Sequence, residues 1–249
     1  MDILLTGRLA GLTPSVSDQL VRNHKVVMAS NDLIAPGKGK AVTPFRISPH
    51  EDGFEKIFHS YAFETVLFFA QPLYTQQEYF EEYRDLECCL RLCDKHDVHK
   101  VIYLLPSYQG SASSSLPDYD LGMLFSACEQ LCAYYRARKN IAVLLMYLPS
   151  LFGYGESVSL IGDAISQAKS RAAIHFSAPE DQRGGFLSQA DLGELLLRMV
   201  ESWPLGYEKI RVPAATVLTF GELGALFSRQ FPTVRLSYAP AALGMDTDV

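Results

Sequence analysis

A serine and a tyrosine near the middle of the chain are the first candidates for chemistry. Ser107 follows the apolar run VIYLLP, and Tyr119 comes after the Ser-rich stretch that follows. A tyrosine hydroxyl can act as a general acid or base, but its pKa of about 10 keeps it protonated at neutral pH. No lysine occurs between Lys100 and Lys139. The segment therefore offers Tyr119, with Tyr108 as a second tyrosine, and no lysine to activate either.

The N-terminal segment TGRLAGLT could bind phosphate. Glycine lets the backbone approach a pyrophosphate, and the first amides of the following helix supply hydrogen-bond donors. Gly7 and Gly11 are the glycines of this segment, whereas Ala10 and Thr13 add side chains to it. The segment predicts either a dinucleotide site or an ordinary strand-to-helix turn.

A ribose would be recognised at the end of the second predicted strand. A carboxylate at this point accepts both ribose hydroxyls in dinucleotide-binding folds. This chain has Ser30 there and Asp32 two residues later, and Ala70 ends the fourth predicted strand. Lys38 and Lys40 follow in a Gly/Lys loop that would suit a 2′-phosphate or simply be solvated. Ser30, Asp32 and Ala70 remain candidates for cofactor contacts.

The sequence predicts no metal site. The five cysteines fall in helical segments without a histidine at zinc-finger spacing, which favours reduced thiols in the core. Asp94, His96, Asp97 and His99 are close in sequence, but they belong to a short helix-to-strand connection, which favours a solvated turn. Reduced thiols in turn predict a reducing compartment, the cytoplasm.

The elements that must position these residues alternate between apolar runs and helical patterns. This alternation is typical of a parallel sheet covered on both faces, and it predicts a doubly wound α/β fold. The predicted strands and helices of the first part of the chain are residues 3–5, 14–22, 26–29, 45–47, 51–61, 65–69, 75–95, 101–105, 122–136 and 142–147. The sequence predicts two later helices, at residues 190–201 and 220–231, and a strand at 210–212 between them. Thr219 is the predicted cap of the second helix.

Composition excludes several classes of protein. The chain has 249 residues, 48% of them hydrophobic, which suffices for a large core. Its net charge of −6 and the lack of a basic tract argue against nucleic acid as a partner. The longest apolar run, residues 141–152, is too short to span a bilayer and contains Pro149.

Six segments form an ordered set of motifs along the chain. They are LLTGRLAG, HKVVMAS, TVLFFAQP, CDKHDVHKVIYLLPSYQG, LPSLFGYGE and GGFLSQADLGELL. Together they resemble the extended short-chain dehydrogenases, the NAD-dependent epimerase/dehydratase family. The resemblance implies a Rossmann-like doubly wound parallel sheet with a small C-terminal substrate lobe. We expect one domain, with a core of about 1–153 and 186–217 and a lobe of about 154–185 and 218–249.

By this resemblance, the family's chemistry would need a Tyr-x-x-x-Lys pair together with a serine. Ser107 matches the serine, and Glu129 matches an acidic residue on the same helix. Counting back from Glu129, the tyrosine position is Leu121 and the lysine position is Phe125. Both belong to an apolar stripe at helical spacing, which favours packing. Tyr119 is the tyrosine nearest to the expected position.

Other positions that the resemblance assigns to cofactor or substrate also depart from the family pattern. Arg46 replaces the acid expected near adenine, and Tyr147 replaces an arginine ahead of a late motif in which Ser150 replaces an asparagine. Arg183 lies one residue from a place where an arginine often grips a diphosphate, so it is the candidate for substrate binding. Asp191 matches a late-motif aspartate and is expected to cap a helix.

These departures favour a catalytically inactive domain that acts as a regulatory, scaffolding or protein-interaction module without a cofactor. Because the resemblance is to nucleotide-sugar enzymes, polysaccharide synthesis is the expected setting. Two alternatives stay open. One is a divergent NAD- or NADP-dependent nucleotide-sugar epimerase or reductase that uses Tyr119 or Tyr108. The other is a nucleotide sensor without turnover.

The expected partner is a protein. The last residues, RLSYAPAALGMDTDV, have a loop-like sequence, and related enzymes run further, which predicts the N-terminal domain of a longer, membrane-bound or signalling protein. Related enzymes often dimerise through the helix that carries Tyr79, Phe80 and Tyr83, just after Tyr74. These aromatics therefore predict either a homodimer interface or packing in the core.

Overall fold

A computed structural model describes residues 1–9, 12, 14–32, 42–70, 76–106, 118–153, 159–203 and 208–240, without the side chains of 76–79 and 118–121. In chain order the elements are β1 (Asp2–Gly7), α1 (Pro14–Leu20), β2 (Lys25–Ala29), β3 (Val42–Phe45), α2 (Glu55–Ser60), β4 (Phe63–Phe69), α3 (Gln76–Lys95), β5 (Lys100–Pro106), α4 (Asp118–Arg138), β6 (Ala142–Leu148), β7 (Ser150–Phe152), α5 (Leu160–Arg171), β8 (Ala173–Phe176), β9 (Arg183–Ser188), α6 (Gln189–Glu201), β10 (Lys209–Arg211), β11 (Thr216–Thr219), α7 (Phe220–Gln230) and β12 (Arg235–Tyr238).

A seven-stranded sheet forms the centre of the protein. Its order is β10-β6-β5-β4-β1-β2-β3, and every neighbouring pair is parallel. Because the chain leaves β1 first towards β2 and β3 and then crosses to β4, the direction of winding reverses between β1 and β4. The predicted doubly wound, Rossmann-like α/β fold is confirmed.

Each face of this sheet has its own apolar core. On one face α2, α3 and α4 cover the strands, and the buried residues include Leu86, Leu90, Cys93 and Phe125. On the other face α1 and α6 pack together, with Val16, Leu20, Leu192 and Leu196 buried beneath them. Strands that are apolar on both sides, such as β1, follow directly from this two-sided covering.

Two smaller sheets follow the central one. β7, β9 and β11 form a three-stranded sheet, and β8 and β12 form a parallel pair. A third core of aromatic and small side chains, including Phe176, Phe220 and Phe227, lies between the β8–β12 pair and α5 and α7. The predicted division into a core and a substrate-type lobe stays a prediction.

Sequence patterns located most of the helices and strands, with instructive errors. The third strand is Val42–Phe45 rather than 45–47, because Pro44 is tolerated on this edge strand. Of the predicted helix 51–61, only Glu55–Ser60 is helical. The start of the supposed C-terminal loop, Arg235–Tyr238, is a strand paired with β8. Residues 241–249 lie outside the described residues.

The N-terminal cap of α7 is the predicted residue, whereas that of α6 is not. Thr219 caps α7, accepting from the Glu222 amide while the Glu222 carboxylate accepts from the Thr219 amide. At α6 the cap is Ser188 rather than Asp191, and its hydroxyl accepts from the Asp191 amide at 3.1 Å. Asp191 supports this cap, because its carboxylate accepts from the Ser188 hydroxyl at 2.7 Å.

Among the described residues, none of the helices has the length and apolar character needed to cross a bilayer. The five cysteines are free thiols, four of them buried and Cys88 partly exposed, which confirms the predicted reduced thiols.

Candidate functional site

The carboxyl ends of β1, β2 and β4 meet at one edge of the sheet, which we call the carboxyl edge. In open α/β sheets ligands bind at this edge, beside the point where the winding reverses. Gly7, Ser30 and Ala70 lie here, as predicted from their positions after the strands. Outside the described residues lie Ala10, Gly11, Thr13, Lys38, Lys40, Tyr74, Ser107 and Tyr108. Tyr119 and Leu121 lie in α4, but their side chains are outside the described part.

Gly7 is required by the fold itself. Its φ is +89°, in the region that disfavours side chains, and an added Cβ would lie 2.4 Å from the backbone oxygen of Phe69. The next amide, that of Arg8, donates to the same Phe69 oxygen at 2.9 Å. The backbone therefore crosses the end of β4 at close range. A glycine at this point is explained by that crossing, with or without a phosphate nearby.

Ser30 is committed to contacts within the protein. It is buried, and its hydroxyl donates to the Gly7 carbonyl at 2.7 Å while accepting from the Asp32 amide at 3.2 Å. The single donor of the hydroxyl is thus used to join the end of β2 to the end of β1. Asp32, which is partly exposed, is the carboxylate at the position where ribose recognition is expected.

The remaining predicted cofactor contacts have different surroundings. Ala70 is partly buried, and its amide donates to the Leu104 carbonyl at 2.9 Å. Arg46 is exposed after β3. Arg183 is exposed at the start of β9, and its side chain makes no hydrogen bond or ion pair within the described part of the chain. β9 pairs with β7, which follows β6, and Arg183 itself lies opposite Thr219 of β11.

Two buried carboxyl groups on α3 lie beneath this edge, and sequence reasoning missed them. Glu82 is 1% exposed, and the Tyr103 hydroxyl donates to its Oε1 at 3.2 Å. Burial, with the nearby charge of Asp85, raises the pKa of Glu82 to about 8. The Glu82 carboxyl is therefore mostly protonated at neutral pH and joins α3 to β5.

Asp85 is the second buried carboxyl of α3. Burial raises its pKa, whereas the contacts with His50 oppose that rise. Both the backbone amide and Nδ1 of His50 lie close to Asp85 Oδ1, at 3.1 and 2.6 Å. Beside them, Arg8 pairs with Glu81 at 3.1 Å, so the cation next to the phosphate-type turn is already engaged.

The spacing in α3 contained a signal for these two carboxyls. Glu82 and Asp85 continue, at helical intervals, the apolar stripe of Leu86, Leu90 and Cys93, which the structure buries as predicted. A carboxylate within an apolar stripe must be buried with a partner or protonated. One turn back from Leu86 is Glu82, and one turn back from the buried Cys89 is Asp85.

The position expected for the catalytic lysine is part of the core. Phe125 is 6% exposed, and it packs with Leu124 and Cys128 under α4. The predicted packing of the stripe is confirmed for these three residues. A phenyl ring carries no charge with which to lower the pKa of a tyrosine.

A tyrosine, a carboxylate and a lysine do meet elsewhere in the structure. The Tyr147 hydroxyl donates to Glu129, and the Lys209 ammonium pairs with the other oxygen of the same carboxylate. Burial and the hydrogen bond to Glu129 raise the pKa of Tyr147. Tyr147 therefore stays protonated, and Lys209 neutralises Glu129. This trio has the residue types of a catalytic set in an arrangement that stabilises α4 against β6 and β10.

No protein-family model matches this chain, and no curated protein sequence matches it. Solved structures do share its fold. An NAD-dependent NDP-hexosamine 5,6-dehydratase, TunA, involved in tunicamycin biosynthesis, has a TM-score of 0.77 at 16% identity, covering 97% of this chain and 86% of that one. The UDP-glucuronic acid 4-epimerase from Bacillus cereus, solved with UDP-glucuronic acid and NAD, has a TM-score of 0.77 at 12% identity, covering 97% and 87%.

A third similar structure has a different substrate. The GalE-like L-threonine dehydrogenase from Cupriavidus necator, in its holo form, has a TM-score of 0.72 at 16% identity, covering 97% of this chain and 86% of that one. The likenesses confirm the fold expected from the resemblance, that of the extended NAD-dependent epimerases and dehydratases. At these identities they show the fold alone.

Proposed function

We propose that this protein is a divergent domain of the epimerase/dehydratase fold that acts by binding, as a regulatory or scaffolding module, rather than by the family's Tyr–Lys hydride chemistry. The observation that carries the proposal is Phe125, which occupies the expected lysine position and is buried in the core. The segment 101–138 holds no lysine to take its place.

The rest of the carboxyl edge supports this proposal. Lys209, a lysine from another part of the chain, pairs with Glu129 rather than with a tyrosine in a cleft. Ser30 uses its hydroxyl to join β1 and β2. Ser30 and Lys209 therefore hold elements of the fold together, which is the expected pattern where a fold is kept after its chemistry is lost.

Turnover assays test the proposal directly. The protein is incubated with UDP-glucose or UDP-glucuronic acid and with NAD⁺ or NADP⁺, and reduced cofactor and epimerised sugar are measured. We expect neither product above a blank without protein. Turnover that Tyr119→Phe abolishes, while the exposed Tyr134→Phe leaves it unchanged, would overturn the proposal in favour of a divergent NAD(P)-dependent enzyme.

Nucleotide binding without turnover is the second candidate function. Its support is the tight turn at Gly7 and the partly exposed Asp32 carboxylate at the ribose position, together with the NAD-dependent enzymes that share the fold. We expect a sensor of this kind to show thermal stabilisation by NAD⁺ or NADH. Asp32→Asn should weaken this binding by about tenfold or more, because a charged hydrogen bond is lost, whereas the exposed Asp52→Asn should not.

The surface formed by α3 and α4 is the proposed site of protein contact. These helices pack side by side, and they expose Phe80 (79%), Tyr83, Met123 (58%) and Tyr134. We propose that a second copy of this chain covers this face, since two-fold pairing matches one apolar patch with itself. In sedimentation experiments the wild type should be a dimer. Phe80→Glu should be monomeric and Leu226→Glu, on α7, dimeric; a monomeric wild type would contradict the proposal.

A role beside polysaccharide synthesis remains part of the proposal through the family resemblance alone, and a cytoplasmic location through the reduced thiols. It is tested by co-purification of the intact protein with glycosyl-transfer enzymes from its native cells, and the Phe80→Glu variant shows whether that association requires the dimer.

A further inference from the structure

Glu55, His59 and His96 form a cluster on the side of the sheet opposite the carboxyl edge. Glu55 and His59 lie one turn apart in α2, and His96 follows the last residue of α3. Since α2 ends just before β4 and α3 ends just before β5, both helices place these side chains at the amino ends of the strands. We call this the amino edge. The cluster is therefore remote from Gly7 and Ser30.

The ligand atoms of the cluster have distances that suit one metal ion. His96 Nε2 lies 3.2 Å and His59 Nε2 lies 3.7 Å from Glu55 Oε1, and all three ligand atoms lie within 4.8 Å of one another. Bonds of about 2.0–2.1 Å in tetrahedral geometry separate neighbouring ligands by about 3.3–3.4 Å. The separation of His96 from Glu55 is close to this value, whereas the separation of His59 from Glu55 is about 0.3 Å too long. Rotation of His59, whose side chain is 65% exposed, shortens its separations from both Glu55 and His96.

The local fold holds His96 in place. Asp97 adopts a left-handed conformation with φ +56°, and the Val98 amide donates to the Cys93 carbonyl at 2.9 Å. These two features end α3 in a Schellman turn. The buried Phe58 packs against the imidazole of His96, with ring centroids 5.4 Å apart. One wall of the cluster is therefore apolar and fixed, and the other is open to solvent.

We propose that Glu55, His59 and His96 bind a divalent transition-metal ion, with Zn²⁺ the best match to the donor set. Two imidazoles favour zinc, copper or nickel over calcium or magnesium, which prefer oxygen ligands. Three protein ligands leave one position for water or another donor. The ion would join α2 to the end of α3 and so hold the two helices together at the amino edge.

The neighbouring charges show what the ion must displace. Lys95 Nζ lies 2.6 Å from Glu55 Oε1, and His96 Nε2 lies 3.2 Å from the same oxygen. This carboxylate oxygen already attracts one cation at short range. Lys95 is exposed and can turn into solvent, leaving its place to the metal. Without a metal ion, the pairs of Glu55 with Lys95, His59 and His96 occupy this place.

The sequence pointed to the wrong partners for His96. Asp94 is close in sequence, but it pairs with Lys139 at 2.9 Å, and the exposed Asp97 and His99 belong to the turn. Glu55 lies about forty residues earlier, so only the fold brings it beside His96. The prediction of no metal site considered only the residues next to His96 in sequence. The contact between His96 and Glu55 joins residues that are distant in sequence.

Binding of Zn²⁺ to the intact protein, purified after chelator treatment, tests the proposal. Isothermal titration in the presence of a competing chelator should show one ion per chain. His59→Gln and His96→Gln should each weaken the binding by at least tenfold, which is the lower end of the loss caused by changing even an outer partner of a metal ligand. Co²⁺ should give the visible absorption of a tetrahedral site without thiolate charge transfer.

Two control variants separate this site from other zinc ligands. His175→Gln changes an exposed histidine that contacts Ser237 on β12, and Cys88→Ser removes the least buried thiol. Neither should change the affinity. The proposal is overturned if the wild type binds no Zn²⁺, which would leave an ion-pair network only, or if His59→Gln and His96→Gln bind as tightly as the wild type. Circular dichroism of each variant confirms that a lost affinity is not a lost fold.

Discussion

The two edges of the central sheet carry reactive side chains in opposite states. At the carboxyl edge, where this fold normally does chemistry, Ser30 and Glu82 are buried and bonded to other parts of the protein. At the amino edge, where sequence reasoning predicted a solvated turn, His59 and Glu55 reach solvent with ligand atoms grouped around one point. Ser30 and Glu82 are therefore less accessible than Glu55 and His59.

The difference teaches that position within a fold and availability of side chains are separate properties. A residue that lies at the expected position contributes to function only if its donors, acceptors and charge are free to meet a ligand. At the carboxyl edge the polar groups of Ser30 and Glu82 are bonded within the fold. Substitutions there should change stability, whereas substitutions at the amino edge should change binding.

Phe125→Lys should produce the largest effect on stability. It places a lysine at the expected catalytic position, but in the core beside Cys128, so we expect a loss of about 4 kcal/mol in the free energy of unfolding and no gain of turnover. Met123→Lys, on the exposed side of the same helix, is the matched control and should be nearly neutral. Urea denaturation measures both. A Phe125→Lys variant as stable as Met123→Lys would show that this position opens to a cleft.

Gly7→Ala should come next. The new methyl group would lie 2.4 Å from the Phe69 oxygen and would also require φ +89°, so we expect a loss of about 3 kcal/mol. Gly53→Ala isolates the second cause, since its φ is +103° but the nearest atom, on Ile47, is 3.7 Å from the added carbon. We expect about 1 kcal/mol there. Equal losses in urea denaturation would mean that β4 does not restrict Gly7.

Glu82→Gln should stabilise the protein at alkaline pH. Because the folded state holds a proton up to a pKa of about 8 and the unfolded chain releases it near 4.5, the free energy of unfolding of the wild type falls as the pH rises between these values. The neutral amide removes that penalty, so the variant should be more stable by roughly 2–4 kcal/mol at pH 8 and equal to the wild type at pH 4.

Glu81→Gln is the control for this pH dependence. Glu81 lies next to Glu82 in sequence but is partly exposed and pairs with Arg8. An exposed pair contributes at most about 1 kcal/mol, so this variant should follow the pH profile of the wild type. If Glu82→Gln also follows it, Glu82 is not buried in its neutral form.

The fold could be predicted from sequence because its information is local. The apolar runs that became β1, β2, β4, β5 and β6 and the stripe of α3 specify which residues face the core, whatever lies far away in the chain. The short strands β7, β8, β9, β11 and β12 and the helix α5 were missed. Their pairing depends on partners distant in sequence, such as β12 on β8, and three or four residues give little periodicity.

The candidate site could be predicted only in part, because contacts between distant residues decide which of its side chains are available to a ligand. The sequence showed the lost lysine and the apolar stripe at Phe125, and it placed Gly7 and Ser30 at the right edge. It could not show that the Ser30 hydroxyl donates to the Gly7 carbonyl, or that Lys209 pairs with Glu129, which is 80 residues away. The grouping of His96 with Glu55 is of the same kind.

His59→Gln should have the smallest effect, and it contrasts the two edges most directly. In the presence of a chelator its unfolding temperature should equal that of the wild type, because His59 is exposed and its pairing with Glu55 is long, at 3.7 Å. With Zn²⁺ added, the wild type should be stabilised by binding to the folded state, and the variant should not. Differential scanning calorimetry measures both conditions. A variant that is destabilised equally with and without metal would make His59 a structural residue, and the two edges would then differ only in exposure.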